Sequence, residues 1–114
     1  MALTTNTQGV SSGVVNHSTG HLVNDAGGAV VATLSLGFVP RVFRIHNVTD
    51  RISYEWYNGM TNPGAVKTVA AGTRTLETTE GPTIGTVTAG TDTTVSVPAS
   101  IILASKTFVW EAVA

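Results

Sequence analysis

The chain contains no cysteine, so disulfide bonds and thiolate metal ligands are both excluded. It also has little charge. Seven acidic and six basic residues amount to 11% of the sequence, against roughly 25% in an ordinary soluble domain. Threonine, serine and asparagine take the place of the missing charge, which leaves little electrostatic repulsion between copies. Such a surface suits a subunit held in an assembly. The net charge of -1 also argues against a nucleic-acid-binding surface, because phosphate affinity comes from clustered lysine and arginine. No apolar run approaches the ~18 residues of a membrane-spanning helix, and no basic start with an apolar continuation follows Met1, so neither a membrane segment nor a secretory leader is expected. Synthesis in the cytoplasm follows as an expectation. Stability has to come from packing, hydrogen bonding or oligomerisation.

The signatures of common chemistries are missing as well. There is no Gly-x-Ser-x-Gly elbow, no GxGxxG and no Gly-Lys-Ser/Thr phosphate loop. Glu55, Glu77 and Glu80 are not spaced so that a strand would pair two carboxylates, which leaves a glycosidase reading without support. His17 and His21 stand four apart, a zinc-binding spacing on a helix, but Ser18-Thr19-Gly20 between them disfavours a helix and no third ligand is near. His46 falls in a strand-like run and reads as a surface or interface residue. Asn16-His17-Ser18 and Asn47-Val48-Thr49 match the glycosylation pattern only by chance in a chain without a leader. The expectation is a protein that is not an enzyme, with no catalytic residues, metal or cofactor.

What the sequence does have is concentrated. Gly37 to Met60, GFVPRVFRIHNVTDRISYEWYNGM, holds five of the seven aromatics and three of the four arginines. Ile52, Tyr54 and Trp56 alternate with Arg51, Ser53, Glu55 and Tyr57, the period of a half-buried strand. Val42 to Val48 is also strand-like, and Asn47-Val48-Thr49-Asp50 between the two is rich in residues that bond back to their own backbone, which predicts a β-hairpin. Pro40 cannot donate to a ladder, so the hairpin starts near Arg41.

Short β-prone runs continue on both sides. Val30, Ala32, Leu34 and Leu36 alternate with Val31, Thr33 and Ser35, and Gly37 ends the run. Val66–Ala70, Arg74–Glu77, Thr83–Thr88, Thr93–Val97 and Thr107–Val113 are further strand candidates, broken at Gly72, Gly81-Pro82 and Gly90. Phe108, Trp110 and Ala112 share a face of the last. Pro98 to Lys106 is the only stretch with the pattern of a helical turn, bringing Ile101 and Ile102 to one side. The fold class is therefore all-β, an antiparallel β-sandwich or barrel-like domain over residues 29–114. Ile52, Tyr54, Trp56, Phe108 and Trp110 are its core candidates.

Met1 to Gly28 is polar and glycine-punctuated, with Val10, Val14, Val15, Leu22 and Val23 as isolated apolar footholds. It reads as an N-terminal arm, either disordered when free or ordered along a neighbouring subunit. Val14, Val15, Leu22 and Val23 are interface candidates on that reading. Arg41, Arg44 and Tyr57 join them, because arginine and aromatic residues are enriched at protein interfaces. The same cluster could stack on single-stranded nucleic acid, but the overall charge opposes it.

The central segment, followed by VKTVAAGTRTLETTEG, a later TIGT and the terminal ASKTFVWEAVA, resembles small virion proteins of tailed bacteriophages of the capsid decoration, or cement, type. The resemblance spans roughly Gly37 to Ala114 and rests on overall pattern. It implies a structural protein on the capsid surface of the virion, binding the major capsid protein at subunit junctions and itself as a homotrimer; the charge and the lack of a long apolar run lead to the expectation of no nucleic acid or membrane partner. A receptor- or glycan-binding module of a tail or head fibre, with Trp56, Tyr57 or Trp110 stacked on a sugar, is the alternative. So is a structural tail or connector component.

Overall fold

The computed structural model describes residues 16–85 and 94–114. Among the described residues there are nine strands and no helix: β1 (His17–Val23), β2 (Ala32–Ser35), β3 (Val42–Asn47), β4 (Ile52–Tyr57), β5 (Ala65–Thr68), β6 (Arg74–Glu77), β7 (Thr83–Ile84), β8 (Thr94–Val97) and β9 (Thr107–Val113). They form a six-stranded antiparallel sheet in the order β1-β9-β3-β4-β5-β6 and a three-stranded one in the order β2-β8-β7. The two pack as an all-β sandwich, as the alternating runs predict.

The hairpin at the centre forms as expected, in the register Asn47↔Ile52 to Val42↔Tyr57. Its turn is held by Asn47, whose side-chain oxygen accepts from the N–H groups of Thr49 and Asp50 at 3.1 and 3.0 Å. Arg51 closes the turn in the left-handed region at φ 59°. Lys106 reaches Asp50 at 3.1 Å, and the Thr49 hydroxyl accepts the Thr107 N–H, so the turn is also tied to the start of β9.

Register then decides which side chains are dry. Phe43 faces Trp56 and Ala112, and Ile45 faces Tyr54 and Trp110, on one side of the sheet. That side packs on Leu34, Ile84, Val95 and Val97 from the smaller sheet. The stretch expected to make a helical turn does not form a helix. The N–H groups of Ile101 and Ile102 share the Pro98 carbonyl in a tight turn that buries both isoleucines in the core. Val30, placed by the sequence pattern in the same run as Leu34, lies before β2 and is exposed. The strand expected over Thr83–Thr88 is described only as Thr83–Ile84, and residues 86–93 lie outside the described residues.

Of the core candidates, Tyr54, Trp56 and Phe108 are buried, and Ile52 and Trp110 pack against the core half-buried. Trp110 differs for a physical reason. Its neighbour on β1 is Gly20, and a Cβ at that position would overlap the indole ring. The ring therefore lies across a strand that offers no side chain there, and its other flank meets Phe43 with 6.1 Å between ring centroids.

This contact corrects the reading of residues 1–28 as an arm outside the β domain. His17–Val23 pairs with β9 along its whole length and forms one edge of the main sheet. The sequence hides the strand because its inner positions are Ser18, Gly20 and Leu22, and the apolar bulk comes from Trp110 and Phe108 opposite. Val14 and Val15 lie outside the described residues.

Truncating a buried tryptophan leaves a cavity, and Trp56 is 5% exposed. Trp56→Ala should cost about 3–5 kcal/mol in denaturant unfolding. Gly20→Ala should loosen β1 from β9 and cost about 1–3 kcal/mol through overpacking, with faster amide exchange confined to those two strands.

A candidate interaction surface on the open sheet face

Side chains alternate across a strand, so burying one face of the six-stranded sheet turns the other outward. On three neighbouring strands the outer face carries His17, Thr19 and His21 of β1, Val109, Glu111 and Val113 of β9, and Val42, Arg44 and His46 of β3. Ser53, Glu55 and Tyr57 of β4 continue it. The register places Thr19, Glu111, Arg44 and Glu55 in one row across the sheet.

That row is a ladder of alternating charge. Arg44 donates from Nη1 to Glu111 Oε1 at 2.9 Å, and the other oxygen of Glu111 lies 2.9 Å from His17 Nε2. On the other flank the Tyr57 hydroxyl donates to Glu55 Oε2 at 3.0 Å, while the guanidinium sits over the Tyr57 ring at 5.8 Å. Glu55 is thereby shared, and Arg44 Nε, 3.7 Å from its carboxylate, is buried without a hydrogen-bond partner. Cross-strand pairs of opposite charge contribute roughly 0.2–1 kcal/mol each, so the ladder orders the surface more than it stabilises the fold. In the next row His46 Nδ1 is 2.8 Å from Ser53 Oγ, and Val109 stands exposed between His46 and His21.

Of the interface candidates, the structure brings Arg44 and Tyr57 together here. Arg41 is exposed at the entrance to β3 and lies outside the ladder, its backbone bonded to Val113 and Asn58. Leu22 turns to the core and Val23 stays 68% exposed at the end of β1. Glu111 and His17 are the members that composition does not signal. Their partners lie 67 and 94 positions away, and only the strand order brings them together. His17 and His21 do share a face, but among the described residues no group of three or more His, Asp or Glu side chains is arranged to hold a metal ion.

A cleft of about 360 Å³ lies between Val39, Pro40, Trp56, Met60 and Ile84, with Asn58 and Asn62 at its margin. Among the described residues no acid, base or charged group lines it. Trp56 shows little surface, and its indole N–H donates to the Thr61 carbonyl at 3.2 Å. No family model, curated protein or solved structure matches the chain.

The hydrogen bond from His17, with further help from the charge of Arg44, holds the Glu111 carboxyl below its ordinary value of 4.5. A depressed carboxylate stabilises the fold above its unfolded pKa, and that contribution disappears as pH falls through the folded value. The β1–β9 edge should therefore loosen on acidification below the ordinary carboxylate range. Carboxyl-carbon NMR of Glu111 should show the low midpoint, and Glu111→Gln should remove this part of the acid sensitivity from β1 amide exchange.

Proposed function

We propose that this chain is a non-enzymatic structural protein of a tailed-phage virion, of the capsid decoration type, which binds the outside of the head at junctions between major capsid protein subunits. The observation that carries the reading is the open outer face of the six-stranded sheet. It is broad, rigid, ordered by a charge ladder and interspersed with Tyr57 and Val109, which combine apolar area with fixed polar groups. The low overall charge and the resemblance of residues 37–114 to decoration proteins support the same reading.

The mechanism is mechanical. A subunit that contacts more than one capsid protein makes each separation of those proteins break its own contacts too, and stabilisation follows from mass action on the intact lattice. A sheet suits this role because its backbone bonds already fix the side chains, so little conformational entropy is lost on docking.

Cryo-electron microscopy of particles carrying the protein should place it on the head lattice, with the β3–β4–β9 face toward the capsid. Arg44→Ala leaves Glu55 and Glu111 without their shared cation. It should weaken binding to heads about tenfold, or ~1.4 kcal/mol, and lower the protection of heads against heat. Density confined to the neck, tail or a fibre, or full binding by Arg44→Ala, would contradict the reading.

A further inference from the structure

An edge strand presents unpaired N–H and C=O groups, and soluble proteins commonly guard it with charge, proline or shortness. Among the described residues the main sheet has two edges, β1 and β6, and they differ in this respect. β6 carries Arg74 and Glu77 in four residues. β1 is seven residues long, HSTGHLV, and contains no lysine, arginine, aspartate, glutamate or proline.

The hydrogen-bond pattern of β1 identifies which of its groups are free to pair. Ala114 N–H donates to the Asn16 carbonyl and Asn24 N–H to the Lys106 carbonyl. In an antiparallel ladder bonded pairs alternate, so the even-numbered residues between them point their backbone groups at β9. His17, Thr19, His21 and Val23 therefore point theirs out of the sheet. The strand is also centred on Gly20. A two-fold axis through Gly20 sets His17 opposite Val23 and Thr19 opposite His21 of a second copy, and each outward donor and acceptor finds a partner over the full strand. At the axis two glycines face one another with no side chain between them, and each is flanked on the inner face by its own Trp110. Val23, 68% exposed, would lie beside His17 of the second copy in that pairing.

The geometry points to the β1 edge as a self-association surface whose occupant is the β1 strand of a second copy, antiparallel about Gly20, joining two main sheets into one. This contact is isologous. It is separate from the open face assigned to the capsid and does not depend on that assignment. It is a two-fold relation, distinct from the trimer that the resemblance implies.

The absence of cysteine makes the register directly testable. Thr19→Cys and His21→Cys are prepared as single variants in the full chain, and each is oxidised alone and in a mixture. Opposed residues of a bonded pair lie about 5.5 Å apart at Cα, within disulfide reach, whereas position 19 does not face its own counterpart. The mixture should yield a disulfide-linked dimer of one copy of each variant, well in excess of the product from either variant alone. In sedimentation velocity the parent should show concentration-dependent pairing, and Thr19→Lys, which places a charge on the exposed edge, should sediment as single copies with an unchanged β-sheet circular dichroism spectrum. Equal cross-linking in the mixture and in the separate variants overturns the proposal. So does Thr19→Lys associating as strongly as the parent, or self-association of the parent as trimers whose β1 positions do not cross-link.

Discussion

One-sided burial of the six-stranded sheet is the constraint on which the rest of the molecule depends. Among the described residues the smaller sheet and the Pro98–Ile102 turn cover one face only. A strand has a side-chain period of two, so each residue of β3, β4 and β9 is committed to one environment, and a slip of one residue would exchange Phe43, Trp56 and Phe108 for Arg44, Glu55 and Val109. The outer ladder and the inner core are two consequences of one register. Asn47 shows how firmly it is fixed, because this buried polar residue spends its side chain on the turn that starts β4.

Much of this was legible where the apolar pattern is carried by the strand itself. The central hairpin alternates bulky and polar residues, and β6 and β9 are bounded as their composition implies. β1 was not legible because its partner supplies the bulk. A strand built around Gly20 has no hydrophobic period of its own, and only the Trp110 ring across the ladder gives the glycine a packing role. The Pro98–Lys106 segment was legible only in part: a single turn at Pro98 forms and buries both isoleucines, but it does not continue into a helix. For the surface, Arg44 and Tyr57 stood out through the local density of arginine and aromatic residues. Glu111 and His17 are common residue types whose significance arises from strand order alone. Arg41 shares the composition of its neighbours but precedes the strand that would have aligned it.

The two surfaces proposed for intermolecular contact use different parts of the same sheet. The open face presents side chains whose backbone is already satisfied, so recognition there would depend on shape and on the charge ladder. The β1 edge presents backbone groups, and recognition depends on length and register more than on side-chain identity. Gly20 connects them, since the docking of Trp110 over it keeps β1 in the plane of the sheet, with His17 in reach of Glu111 on one side and its free backbone groups aligned along the edge.

The place of β9 in the strand order also governs when the protein can fold. It lies between β1 and β3, so β9 is inserted between two earlier strands, and its register with β1 pairs His17 with Val113, 96 positions apart. While the chain is still being synthesised, β3 to β6 can pair through short local connections, but neither the Phe108 contribution to the core nor a seat for β1 exists until Thr107–Val113 has emerged. Non-local closure of this kind is intrinsically slow. The outward row of β1 backbone groups is therefore aligned as a sheet edge only once β9 has paired with it, so the edge and the closed core belong to the same folded state.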